Sequence, residues 1–182
     1  MMLMWLIAGQ LAAAAAAEAP PFDPVTGYRT ARYRGIVPHP PEGARRIDAS
    51  RAEAMNRDPR VTFIDVTPAE GGSRNPATGE WRLAIEHRTL PRARWFPESG
   101  RGRLAPAIER WFASGIARHA GSTAAPVVVF CLSDCWMSWN AALRLHRAGY
   151  RDVRWFADGV DGWRERGLPM VAAVPEPGAI GE

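Results

Sequence analysis

Four consecutive apolar residues, Val127-Val128-Val129-Phe130, run directly into a loop that holds both cysteines of the chain, Cys131 and Cys135. A run this short and this rich in β-branched side chains predicts a strand buried on both faces, as in a parallel sheet. Beyond the loop, Ala141-Ala142-Leu143-Arg144-Leu145 opens an alanine-rich helical pattern. Strand, loop and helix in that order put the thiols at the carboxyl end of a strand, facing the amino end of the next helix. Open α/β sheets form their ligand crevice there. The unpaired N–H groups of a helix start favour negative charge, which here means thiolate.

The rest of the chain alternates in the same way. Ile47 to Arg57 predicts a short helix, capped by Ser50 with Glu53 or by Asp48, and stopped at Asp58-Pro59. Val61 to Val66 predicts a second buried strand, with Asp65 near its end as a carboxylate accepting N–H bonds from neighbouring loops. Thr67 to Arg92 is a long polar connection in which Trp81 and Leu83 mark a fold-back. A short strand at Ala93 to Phe96 precedes a helix from Pro106 to His119, with Ile108, Trp111, Phe112 and Ile116 on one face. Gly149 supplies a left-handed cap to the helix after the cysteine loop. Val153 to Phe156 is a further strand, and Asp158 to Trp163 turns into a last helix closed by Gly167-Leu168-Pro169. The class is α/β, with a mostly parallel central sheet flanked by helices on both faces. Residues 47–170 form the domain, 20–46 a Pro/Gly-rich arm, and 171–182 a flexible tail.

Residues 1–19 read as a signal peptide: an apolar start, an alanine run from Ala12 to Ala17, and A-x-A cleavage sites before Pro20-Pro21. The apolar stretch is shorter than the ~20 residues of a membrane span. The expectation is an exported, soluble, periplasmic protein with no stable membrane span after cleavage. The formal net charge is +4, and every basic residue is an arginine. The arginines are scattered, with no aromatic-interleaved basic stripe, which argues against nucleic acid as a partner. Export bears on the cysteines. In an oxidising compartment they are a candidate disulfide; in a reducing one they are free thiols or metal ligands.

Four pieces of the chain, in order, carry a family likeness. Phe63-Ile64-Asp65-Val66 resembles the first core strand of the rhodanese family with its terminal aspartate. Arg88-Thr89-Leu90-Pro91-Arg92-Ala93 stands where that family has a G-H-I-P-G-A turn. Val127 to Cys131 resembles the strand ending in the active cysteine. Gly149 through Trp163 to Met170 is similar to the closing segment. The loop itself, Cys131-Leu132-Ser133-Asp134-Cys135-Trp136, is similar to the exported CXXCW-motif proteins associated with PQQ-dependent alcohol catabolism, although three residues here separate the cysteines.

The resemblance implies a single rhodanese-like domain in which Cys131 is the reactive thiol, able to carry a persulfide sulfur held by loop N–H groups. Cys135 is then its resolving partner. It also implies a PQQ-dependent alcohol dehydrogenase system, or its thiol-containing components, as partner. Two features depart from the family. Trp136 and Met137 stand where the rhodanese loop usually offers a cation, and Asp134 adds a carboxylate that would raise the thiol pKa and repel thiosulfate. The site residues are therefore Cys131, Cys135 and Asp134 for chemistry, with Ser133, Trp136, Met137 and Ser138 for binding. Trp136, Met137 and Trp139 either wall an apolar pocket around the thiol or anchor the loop to the sheet. Several alternatives stand beside this reading: a permanent disulfide staple, two reduced thiols that only pack, and a non-catalytic module whose Trp-rich loop binds a cofactor or partner protein. The four histidines show no ligand spacing and no metal is assigned; Cu(I) on Met137 and the thiols is the soft-metal alternative.

Overall fold

The computed structural model describes residues 20–178; the signal peptide read in residues 1–19 and the last four residues of the tail lie outside the described residues. Five strands form one sheet. In chain order they are β1 (Ala44–Ile47), β2 (Thr62–Asp65), β6 (Arg94–Trp95), β7 (Val127–Phe130) and β8 (Val153–Phe156). They lie side by side as β1-β8-β7-β2-β6, and every pairing is parallel. Two small antiparallel pairs stand outside the sheet. One joins β3 (Ser73–Arg74) to β4 (Trp81–Arg82), and the other joins β5 (His87–Thr89) to β9 (Val171–Ala173).

Side-chain alternation along the central strand builds two cores. Val127 and Val129 point to one face, where Trp111, Phe112 and Ile116 of α2 (Pro106–Ala120) and Ala141, Ala142 and Leu145 of α3 (Trp136–Arg147) cover them. Val128 and Phe130 point to the other, against Ala52 and Met55 of α1 (Ala49–Asn56) and Val160 and Trp163 of α4 (Gly159–Glu165). All four residues of β7 are fully buried. Each such side chain removed from water contributes about 1.5–3 kcal/mol, so this strand is the centre of the molecule's stability. Among the described residues no helix is long and apolar enough to cross a membrane.

The registers align the strand ends. Asp65 lies beside Phe130 on one side and Trp95 on the other, and Phe156 is level with both Phe130 and Ile47. The chain therefore leaves β7 at Cys131 from the middle of a level edge, the place where ligands bind such sheets.

Several local expectations shift. The first helix begins at Ala49 with Asp48 as its cap, the carboxylate accepting the Arg51 N–H at 2.7 Å; Ser50 is inside the helix. Ala44–Ile47, read as the end of the arm and the start of that helix, is the edge strand β1. The tail from Val171 is held: β9 pairs with β5, and the Glu176 N–H donates to the Trp95 carbonyl. Gly149 does cap α3 from the left-handed region, with φ 92°.

Candidate functional site

Cys131 and Cys135 meet at the end of β7. Their Sγ atoms are 2.6 Å apart, closer than two unbonded sulfurs ordinarily pack, and both cysteines are free and buried. Two features bring them together. The first is the turn at Asp134, whose φ of 51° lies in the left-handed region that aspartate tolerates better than most residues. The second is the start of α3, for which Cys135 is the N-cap residue. From below, α4 fixes the loop. The Val160 N–H donates to the Cys131 carbonyl at 2.8 Å, and Asp161 accepts the Ser133 N–H at 3.0 Å.

The two thiols are electrically unlike. Burial pushes Cys131 well above the ordinary thiol range; the adjacent Cys135 and then the Asp65 charge add to this. Cys135 is lowered to about 7, first by the hydrogen bond from Cys131, against the penalty of burial, and then by the Met137 N–H, the Arg34 charge and the Leu132 N–H. Both directions follow from position: Cys135 faces the amino end of a helix, and Cys131 has no exposed surface.

Asp65 is fully buried on the neighbouring strand. Its Oδ1 accepts the Thr67 N–H at 2.8 Å; Oδ2 accepts the Thr89 hydroxyl at 2.6 Å and lies 2.7 Å from His87 Nε2. His87 in turn stacks on Trp95, ring centroids 4.3 Å apart. Asp65 thus has the bonding role expected of it, and it is also the carboxylate that bears on Cys131. Asp134 was expected to do this, but it sits exposed on the outside of the turn.

The arm closes over the loop. The Trp136 N–H donates to the Tyr33 carbonyl and the Gly35 N–H to the Asp134 carbonyl, each at 2.8 Å, so Arg34 bridges antiparallel to Cys135. Buried Asn140 on α3 holds the arm from behind. It accepts the Arg29 N–H at 2.9 Å, and donates to the Arg29 carbonyl at 2.8 Å and to the Gly100 carbonyl at 3.0 Å. The Arg29 guanidinium lies over Trp136, 4.4 Å from its centroid, and Phe22 meets the same ring edge-on at 5.3 Å. The Trp139 indole donates to the His39 carbonyl. Arm, loop and helix therefore form one packed unit.

The family model of the rhodanese-like domain matches residues 48–166. This chain belongs to the rhodanese-like domain family. No curated protein is similar to it in sequence. Among solved structures, the 3-mercaptopyruvate sulfotransferase SseA from Escherichia coli aligns with TM-score 0.52 at 18% identity, covering 73% of this chain and 53% of that one. A polysulfide-sulfur transferase homodimer from Wolinella succinogenes aligns with TM-score 0.48 at 19% identity, over 71% of this chain and 79% of that one. A thiosulfate sulfurtransferase from Pseudomonas aeruginosa aligns with TM-score 0.47 at 17% identity, over 75% of this chain and 21% of that one.

Within this rhodanese-like domain the sequence-predicted site residues fall into two groups. Cys131 and Cys135 form the sulfur pair, while the Ser133 N–H is turned away to Asp161 and the N–H groups that bear on the thiols are those of Leu132 and Met137. The others are structural neighbours. Ser138 is fully buried, donates to the Cys135 carbonyl and accepts the Trp155 indole N–H at 3.0 Å. Trp136 is taken up by Phe22 and Arg29, and buried Met137 presses against Gly100, so neither walls an open pocket over the thiols. Among the described residues no group of three or more His, Cys, Asp or Glu is arranged to hold a metal ion. Sequence reasoning missed Arg34, Arg29 and Asn140. Arg34 brings to the loop the positive charge that Trp136 and Met137 lack. It does so from a segment that looks like a linker.

Proposed function

We propose that this chain is a rhodanese-like thiol redox or sulfur-transfer protein in which Cys135 attacks and Cys131 resolves. The observation that carries the reading is the 2.6 Å sulfur pair with one lowered and one raised thiol. The sequence alone gives Cys131 the leading role; the charge distribution favours Cys135 as the nucleophile.

The steps balance as ordinary thiol–disulfide exchange. The Cys135 thiolate attacks one sulfur of a substrate disulfide R–S–S–R′, that S–S bond breaks, and R′S⁻ leaves and takes the proton of Cys131, giving R′SH and the Cys131 thiolate. The Cys131 thiolate then attacks the Cys135 sulfur and expels RS⁻. Two electrons pass from the cysteine pair to the substrate as the Cys131–Cys135 bond forms. With a persulfide R–S–SH the attack falls on the outer sulfur, RS⁻ leaves, and Cys135 carries the transferred sulfur. The decisive test is trapping. Cys131→Ser protein incubated with glutathione disulfide should accumulate a mixed disulfide on Cys135, seen as added mass. A trapped species only on Cys131, in Cys135→Ser protein, reverses the assignment.

The wider setting is an exported, periplasmic accessory of PQQ-dependent alcohol oxidation. It is supported by the loop's likeness to the CXXCW proteins and by the apolar leader. A strain lacking the protein should then lose PQQ-dependent growth on alcohols, and normal growth would remove this part of the reading. A non-catalytic binding module is the second reading, favoured by the burial of both sulfurs under the arm. Retained partner binding by a Cys131→Ser, Cys135→Ser double variant would support it.

A further inference from the structure

Away from the thiols, α2 and α3 leave a cleft of about 300 Å³ between them. Phe112, Ala113 and Ile116 of α2 line it, with Leu145 of α3 and Ala148 at the end of that helix. Tyr150, just past the Gly149 cap, lines it too, and its backbone N–H is held by the Leu145 carbonyl at 3.1 Å. A space of this size suits a small molecule, and cavities with such apolar walls take up small aromatic compounds.

Tyr150 is 7% exposed. Its hydroxyl bonds to no group among the described residues, and burial alone raises its pKa. Buried polar groups in folded proteins are almost always paired. The side-chain atoms that are both sealed and unpaired lie elsewhere, on Thr67, Arg74, Trp81, Ser99 and Trp111. The Tyr150 oxygen therefore keeps an open face, and the opening that Tyr150 borders is this cleft. Two charged side chains also line it, Glu109 and Arg144, and neither calls for a charged ligand. The Arg144 guanidinium is already committed. It donates to the Ser99 and Arg101 carbonyls at 3.0 Å and to the Gly102 carbonyl at 3.4 Å, and lies 4.5 Å from the centroid of the Tyr28 ring. The Glu109 charge offsets that of Arg144 and repels an anion.

We propose that this cleft binds a small neutral molecule with an apolar or aromatic body and one carbonyl oxygen. The Tyr150 hydroxyl donates to that oxygen, and the body lies against Phe112, Ile116 and Leu145. No residue of the cysteine loop takes part, so the site does not depend on the thiol reading.

The test is a titration of the purified protein, ¹³C-labelled on its isoleucine and leucine methyl groups, with acetophenone, followed by NMR. The expected result is saturable movement of the signals that vanish in Ile116→Val and in Leu145→Met. Affinity in Tyr150→Phe should be roughly threefold to tenfold weaker, the share of one hydrogen bond. Benzoate, with the same ring and a negative charge, should bind at least about tenfold more weakly than acetophenone. Ala113→Trp, at an exposed position of α2 that lines the cleft, should abolish the response, and this decides the matter even if Tyr150→Phe fails to fold. Signals that stay still, undiminished affinity in Tyr150→Phe, binding that survives Ala113→Trp, or benzoate binding as tightly as acetophenone would overturn the assignment.

Discussion

Asn140 clasps the backbone of Arg29 by both its N–H and its carbonyl, and through it the segment ahead of the sheet is pinned across the cysteine loop. Arg34 then sits beside Cys135, and access to that buried thiol is put under the control of a contact distant in sequence. Asn140→Ala leaves two backbone groups of Arg29 and the Gly100 carbonyl without their partner, a loss of about 1–3 kcal/mol. The arm should open more often, and alkylation of Cys135 by iodoacetamide should quicken at least tenfold. An unchanged rate would mean that the arm does not gate the thiol.

The pH dependence should separate the two cysteines. Cys135, lowered to about 7, becomes thiolate as pH rises through that value, while Cys131 stays protonated well beyond it. Alkylation should therefore rise with an inflection near pH 7 that disappears in Cys135→Ser. In Cys131→Ser the inflection should move upward, since the largest lowering contribution comes from Cys131. The stability sign is that of an acid whose folded pKa is depressed. The contribution of Cys135 is fully present above its unfolded value and is lost as pH falls through about 7. Denaturant melts of Cys135→Ser against wild type, at pH 6 and pH 8, should diverge more at the higher pH.

The fold was legible because the central strands carry their own signal. Val127–Phe130 could only be a short strand buried on both sides, and the helix after the loop followed from its alanines and Gly149. Edge elements were not legible. Ala44–Ile47 is a strand only because β8 lies beside it, and its sequence, Ala-Arg-Arg-Ile, has one buried residue at each end and two exposed arginines. The tail strand likewise exists through its pairing with β5. At the site, the cysteine pair was visible because both residues sit in one loop. Arg34, Asn140 and His87 were not, because their roles come from contacts across dozens of residues, and single polar side chains in proline-rich or loop sequence carry no period.

Asp65 should matter more for folding than for sulfur chemistry. It is fully buried and serves Thr67, Thr89 and His87 together. Asp65→Asn turns an amide against donors and should cost roughly 3 kcal/mol, measured as a shift in the denaturation midpoint without a change of slope. Stability equal to wild type would show that the carboxylate is not the anchor of this sheet edge.

Gly159 is a second sensitive point. Its φ is 54°, and a methyl group there would fall 2.0 Å from the Cys131 carbonyl oxygen. Gly159→Ala therefore strains the backbone, about 1–3 kcal/mol from φ alone, and displaces the loop. Both a lowered melting temperature and slower disulfide closure between Cys131 and Cys135 are expected; a variant with normal closure would show that α4 does not position the pair.

The most direct measurement is a redox titration of the purified protein in dithiothreitol buffers of graded potential, with free thiols counted by alkylation and mass spectrometry. A pair that exchanges two electrons reversibly in the native fold, opening and closing together, is the predicted result. A disulfide that resists reduction until the protein unfolds, or thiols that never pair under oxidising buffer, would contradict the account and leave the cysteines as a structural staple in the first case and as packing in the second.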